Sequence, residues 1–276
     1  MLIATLIAAN RLEERLIAAC GARLRRWIEP GSAADVEFAS APNLPDGVDL
    51  VPIGPGPLVK SLLVADMDST MIGQECIDEL ADYAGVKPEV AAITERAMRG
   101  ELDFAAALAE RVALLEGLEA GVIARCLAER VRLNPGAATL VRTMRAKGAE
   151  TLLVSGGFTA FVASVAAEAG FDRFAANVLE IADGRLTGRV EGRIVDSAFK
   201  RQALVDARER LGLARDAVLA VGDGANDAPM IEEAGLGIAY RAKPALARVA
   251  DAQLKYHDLD ALLWAQGIPR AEWAAI

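Results

Sequence analysis

Two apolar runs in this chain each break off in a knot of carboxylates. Leu62-Leu63-Val64-Ala65 leads into Asp66-Met67-Asp68-Ser69-Thr70, and Ala217-Val218-Leu219-Ala220-Val221 leads into Gly222-Asp223-Gly224-Ala225-Asn226-Asp227. Short uninterrupted runs of this kind suit strands buried on both faces, the condition of a parallel sheet covered by helices. Open sheets of that class hold their chemistry at the carboxyl ends of the strands. If the two acidic knots meet there, Asp66, Asp68, Asp223 and Asp227 need a cation or shared protons to coexist.

The alternation continues along the chain. Strand 61–66, a helical block at about 75–147, strand 151–155, helix 158–169, strand 217–222, helix 227–234 and strand 236–239 predict an α/β fold, a Rossmann-like parallel sheet wrapped by helices. The helical block is far longer than a strand-to-helix connection requires and predicts an inserted helical cap. Asn177 to Asp196, with Asp183-Gly184 between β-like runs, predicts a small β-hairpin flap. Ahead of all this, residues 1–9 are expected as strand, 11–28 as a helix with a Leu12, Leu16, Ala19 stripe, and 34–53 as extended segments. Pro52-Ile53-Gly54-Pro55-Gly56-Pro57 continues neither helix nor sheet interior. The chain therefore divides into a small α+β N-terminal appendage, 1–57, and a catalytic domain, 58–276.

Charge narrows the partners. A formal net charge of −9 argues against nucleic acid and leaves any small anionic substrate dependent on a local positive site. The apolar stretch at 1–9 lacks a basic leader and is too short to span a bilayer, so no membrane role is expected. Cys20, Cys76 and Cys126 are widely spaced and odd in number, which suits a reducing compartment; a cytoplasmic protein is expected. The single histidine, His257, leaves triad or histidine-based zinc chemistry without material and is expected at the surface or the core edge. Self-association is left open.

Residue by residue, the chemistry reads as follows. Asp66 is either a helix N-cap or a nucleophile able to attack phosphorus; the Asp68 carboxyl two residues on would act as general acid and then base. Asp223, with Asp66, the Asp68 carbonyl and Asp227 directly or through water, suits Mg²⁺, which takes few carboxylates alongside waters and phosphate oxygens. Ser155-Gly156-Gly157 follows a strand and opens a helix, as a structural turn or as a phosphate cradle. Phe104, Leu108, Arg111 and Leu115 share one helical stripe, with the Arg111 cation in an apolar row. Glu75 is a favourable acid at a helix start. Cys76 is expected as an apolar helix position.

The pairing of Asp66-Met67-Asp68-Ser69-Thr70 with Gly222 to Asp227 resembles the haloacid dehalogenase superfamily, whose motifs are DxDx[TV] and GDGxND. By that resemblance Ser155 binds phosphate, and Lys200 neutralises charge between nucleophile and phosphoryl group. Further motifs narrow the resemblance to the phosphoserine phosphatase family. They are Glu75-Cys76-Ile77-Asp78-Glu79-Leu80, Thr94 to Phe104, Arg111-Val112, Ser155 to Phe158, Asn177, Gly184, Thr187-Gly188, Lys200, Gly222 to Met230 and Gly235 to Tyr240. The resemblance implies Mg²⁺-dependent hydrolysis of O-phospho-L-serine through an aspartyl-phosphate on Asp66, the final step of L-serine biosynthesis. It implies that Glu75 meets the ammonium, Arg111 the carboxylate, and Phe104 closes over the substrate, while Ser155, Gly156, Lys200 and Asn226 contact the phosphoryl end. Met67 departs from the commoner Phe. The N-terminal segment resembles the appendage of bacterial members, a shortened relative of ACT modules. The rival readings are a phosphotransferase to another amino-acid alcohol and a non-catalytic amino-acid sensor.

Overall fold

Two sheets joined by the irregular stretch 53–61 make up the computed structural model, which describes residues 2–275. The first is antiparallel, built from β1 (Leu2–Leu12), β2 (Ala22–Glu29), β3 (Gly31–Phe38) and β4 (Asp49–Pro52) in the order β2-β3-β1-β4. One short helix, α1 (Glu14–Ala19), covers one face. The helix expected over 11–28 is thus corrected. Gly21, at φ 77°, turns the chain back, and Ala22–Glu29 returns as an edge strand. Register against β3 slips between Leu24 and Arg26 and again between Trp27 and Glu29, so the two-residue alternation that marks a strand is broken twice.

The second sheet carries the two acidic turns. Its strands are β5 (Leu62–Ala65), β6 (Glu150–Phe158), β7 (Arg173–Ala182), β8 (Arg185–Glu191), β9 (Val218–Gly222), β10 (Leu236–Tyr240) and β11 (Ala252–Leu254), ordered β11-β10-β9-β5-β6-β7-β8. All neighbours are parallel except β7 and β8, which form the flap. Its turn residues Asp183 (φ 51°) and Gly184 (φ 75°) both adopt the left-handed conformation that a tight hairpin demands.

Helices α2 (Cys76–Ala84), α3 (Lys87–Met98), α4 (Phe104–Ala113) and α5 (Gly121–Glu129) rise above the carboxyl edge, whereas α6 (Ala137–Ala146) packs on β6 and α7 (Thr159–Ala169) as a flanking helix. The other face is covered by α8 (Ser197–Arg210) and α9 (Ala228–Glu233). Alternation in the central strands follows from this. Leu63, Ala65, Leu153, Leu219 and Val221 join the core under α6 and α7, and Leu62, Val64, Leu152, Val218 and Ala220 join the core under α8 and α9. The flap runs along the cap, with the Gly117 N–H donating to the Leu186 carbonyl at 2.8 Å and the Leu186 N–H to the Leu118 carbonyl at 2.9 Å.

The two sheets share a core. Ile7, Ile28, Ala33 and Val51 pack into the same apolar cluster as Leu259, Leu262 and Trp264, while the opposite face of the first sheet closes on Ile17 and Cys20. At the seam the Asp49 carboxylate accepts hydrogen bonds from the backbone N–H groups of Lys255, Tyr256 and His257 at 3.0–3.1 Å and sits 2.8 Å from His257 Nδ1. The Ala9 N–H donates to His257 Nε2 at 3.0 Å, which fixes the proton on Nδ1. His257 is therefore a stitch between the sheets at the core edge.

Candidate active site

The Asp66 N–H donates to the Val221 carbonyl (3.0 Å), so the turns after β5 and β9 begin side by side at the centre of the sheet. Asp66 Oδ1 accepts from the Met67 N–H (2.7 Å) and from Lys200 Nζ (2.6 Å). Lys200 sits in the first turn of α8, whose start is capped by Asp196 accepting from the Phe199 N–H at 2.8 Å. Lys200, Leu204 and Ala207 are the buried stripe of that helix, so the fold aims a lysine where a leucine would ordinarily pack. Its ammonium also bonds Asp227 Oδ1 at 2.8 Å, and Asp227 Oδ2 accepts from the N–H groups of Asp223 (3.2 Å) and Gly224 (3.1 Å). Gly222 leaves room for this: a Cβ there would stand 2.6 Å from the Asp227 carboxyl.

Burial sets the protonation pattern. It pushes Asp66 well above the usual carboxylate range, with the Asp227 charge adding to it and Lys200 pulling back. Burial would discharge Lys200, but Asp227 and Asp66 outweigh it and hold the ammonium charged. Asp223 is pushed up to about 6 by burial and by Asp227. Asp68 is pushed up to about 7, by burial first and by Glu75 second. That makes Asp68 a carboxyl able to hold a proton near neutrality.

Asp68 points away from the other three carboxylates. Its Oδ1 accepts from the Cys76 N–H at the start of α2 (3.1 Å), and its Oδ2 accepts from Ser155 Oγ (3.3 Å). Ser155 Oγ in turn accepts from the Gly157 N–H at 2.8 Å. A side chain at 157 would put its Cβ 2.7 Å from Asp68 Oδ2, so the turn needs glycine there. Asn177 braces the same turn, donating to the Gly156 carbonyl (2.7 Å) while accepting from the Val195 N–H (2.8 Å). Burial raises the Cys76 thiol far above its ordinary value, which leaves it inert.

A cavity of about 610 Å³ lies between this floor and the cap. Asp66, Asp68, Glu75, Phe104, Arg111, Gly156, Asp223 and Asn226 all line it, while Ser155, Lys200 and Asp227 lie buried just beneath. Phe104 reaches from α4 over the phosphate-type turn, its Cζ 3.0 Å from where a Gly156 Cβ would sit. Glu75 Oε1 accepts from Ser69 Oγ at 2.6 Å, and Ser69 achieves this from a left-handed conformation (φ 55°). Arg111 Nε donates to the Ala107 carbonyl of its own helix (3.1 Å), and no carboxylate lies within ion-pair distance of it among the described residues. Residues not singled out from the sequence also line the wall, notably Met98 and Lys243. Met98, which falls within the Thr94 to Phe104 motif without a role of its own there, is 75% exposed at the end of α3.

The carboxylates fit a hard divalent cation. Asp66, Asp223 and Asp227 each offer an oxygen within 4.8 Å of the others, all three are buried, and the donor set contains no nitrogen or sulfur. Lys200 neutralises Asp66 and Asp227 only, so Asp223 keeps an inward-facing charge with no buried partner.

The haloacid dehalogenase-like hydrolase family model matches residues 63–232. A phosphoserine phosphatase of Mycobacterium tuberculosis is 51% identical over 77% of this chain, and the match spans 52% of that protein. A phosphoserine phosphatase of Albidiferax ferrireducens is 49% identical over 73% of this chain and 87% of its own length. Among solved structures, a haloacid dehalogenase-family hydrolase of Salmonella enterica serovar Typhi superposes with a TM-score of 0.81, at 32% identity, over 96% of this chain and 98% of its own. A phosphoserine phosphatase captured as a phospho-aspartyl intermediate analogue superposes with a TM-score of 0.69, at 38% identity, over 74% of this chain and 98% of its own. Matched over more than half its length by that family's model, the chain belongs to the haloacid dehalogenase-like hydrolases.

Proposed function

We propose that the protein is a phosphoserine phosphatase, hydrolysing O-phospho-L-serine to L-serine and phosphate through a phosphoryl group carried on Asp66. One observation carries the substrate assignment: Glu75 and an unpaired Arg111 line one cavity whose floor holds Asp66 and Asp68. A zwitterion esterified to phosphate needs an anion, a cation and a phosphate seat, in that arrangement. The phosphoserine phosphatases matched at about half identity support the same reading.

In the first step the Asp66 carboxylate attacks phosphorus in line, a P–O bond forms to Asp66, and the ester P–O bond breaks. Asp68 gives its proton to the departing serine oxygen, which its burial-raised affinity near pH 7 equips it to do. In the second step Asp68 takes a proton from water as that water attacks phosphorus, freeing Asp66 and inorganic phosphate. Lys200 holds Asp66 in place from beneath and offsets charge on the phosphoryl oxygens. Ser155, the Gly156 backbone and Asn226 seat those oxygens, Arg111 and Glu75 orient the amino acid, and Phe104 excludes water above them. Mg²⁺, held by Asp66, Asp223 and the Asp68 carbonyl, with Asp227 directly or through water, would supply the positive charge that lets an anionic nucleophile meet an anionic phosphoryl group.

No helix among the described residues is long and apolar enough to cross a membrane, and the three cysteines are unpaired, which supports a cytoplasmic enzyme. The test is phosphate release from O-phospho-L-serine against phosphothreonine, sugar phosphates and p-nitrophenyl phosphate, with Mg²⁺ and with EDTA. Metal-dependent turnover at least about tenfold better on phosphoserine is expected. Turnover confined to other esters overturns the substrate assignment.

A further inference from the structure

Among the described residues, five carboxylates line the cavity (Asp66, Asp68, Glu75, Asp78 and Asp223) against two cations, Arg111 and Lys243. Arg111 is committed to the amino-acid end in the reading above. Lys200 lies beneath the floor, 1% exposed, with its ammonium already divided between Asp66 and Asp227. A phosphate monoester arriving from solvent therefore approaches a protein of net charge −9 through an acidic mouth. The cation facing it from the solvent side is Lys243.

Its backbone is fixed and its head is not. The Lys243 N–H donates to the Asp223 carbonyl at 3.0 Å, and Pro244 opens the short helix Pro244–Ala247 directly behind it. The side chain is 61% exposed, and Nζ stands 3.7 Å from Asp223 Oδ2, beyond hydrogen-bond length. A flexible, compact point charge anchored at the base and loose at the tip suits capture of a phosphoryl group better than a fixed ion pair would. Lys200 and Lys243 thus bracket the acidic cluster, one from the core and one from the solvent.

We infer that Lys243 is a further substrate-recognition residue, which meets the outer charge of the phosphoryl group on entry and holds it from the side opposite Lys200. The inference takes its substrate from the proposed function but depends only on the phosphoryl end, so the two are separable by experiment.

The test compares wild type, Lys243→Gln and Lys243→Arg, with Mg²⁺ present. For phosphoserine, Lys243→Gln should raise KM about tenfold with kcat falling less than about threefold, and Lys243→Arg should recover most of the loss. The fall of kcat/KM with added salt should be shallower in Lys243→Gln. Inhibition by inorganic phosphate should weaken by about the same factor as KM, while inhibition by L-serine stays within about twofold. An unchanged phosphate affinity, or a loss confined to kcat, overturns the inference and leaves Lys243 a structural neighbour of Asp223. If wild type does not turn over phosphoserine, the proposed function fails. The inference is then read on inorganic phosphate binding by calorimetry, where wild type must bind more tightly than Lys243→Gln for it to stand.

Discussion

The floor of the cavity and its cap wall are built by different rules. Three of the floor's carboxylates have close partners: Asp66 takes Met67 and Lys200, Asp227 takes Lys200 and two backbone N–H groups, and Asp68 takes Cys76 and Ser155. Asp66, Asp223 and Asp227 are at most 7% exposed, and the floor springs from strand ends and from the helix that buries Lys200. The wall is looser. Arg111 bonds only its own helix among the described residues, Glu75 is held by one hydroxyl, and Met98 is largely in solvent. In the proposed mechanism the chemistry is preorganised, whereas recognition is left to side chains that settle when the substrate supplies the missing charges.

That contrast is breakable. Asp66→Asn should lower kcat by on the order of 10⁴-fold or more, leaving phosphoserine binding measurable by calorimetry. Lys200→Met should follow at about 10³-fold, since it removes the positive charge beneath the nucleophile and leaves Asp66 and Asp227 facing each other; circular dichroism separates this from unfolding. On the wall, Arg111→Ala should cost about 100-fold in kcat/KM for phosphoserine, mostly through KM, and little for p-nitrophenyl phosphate. A wall substitution that abolished turnover on both substrates would collapse the distinction.

The smallest effect is in stability. Asp68 and Asp223 have folded-state affinities raised to about 7 and about 6, so the metal-free fold binds more protons than the unfolded chain above pH 4 or so. Their contribution is present at low pH and is lost as pH rises through 6 to 7, by on the order of a few kcal/mol. With EDTA, the melting temperature should therefore fall between pH 5.5 and 8, Asp68→Asn should flatten the slope, and Mg²⁺ should stabilise more at pH 8 than at pH 5.5. A metal-induced shift independent of pH would show that the Asp223 carboxylate does not hold the ion.

The floor was largely legible in the sequence, because strand ends and acidic turns are local patterns. Asp66, Asp68, Asp223 and Asp227 could be read from short motifs that fix both fold position and chemistry. Lys200 was legible only through the resemblance, and its buried stripe with Leu204 and Ala207 emerges with the helix itself. Features that depend on tertiary approach stayed hidden. Nothing local marks Ser69 as the holder of Glu75, Asn177 as the brace of the Gly156 turn, or Lys243 as a cation at the mouth. The strand Ala22–Glu29 was lost for a different reason: its two register slips erased the alternation that periodicity arguments need.

The seam at His257 bears on how the polypeptide matures. Ala9 and His257 are 248 residues apart, and Asp49 waits for Lys255, Tyr256 and His257 across a similar span. The first sheet can close one face on α1 from nearby sequence, but the face bearing Ile7, Ile28, Ala33 and Val51 shares its core with Leu259, Leu262 and Trp264, far along the chain. Closure over such a separation is slow, and the apolar face stays open until it occurs. Strand β5 finds β6 and β9 over shorter separations in sequence, which makes this seam a place where a chaperone would have an apolar face to protect.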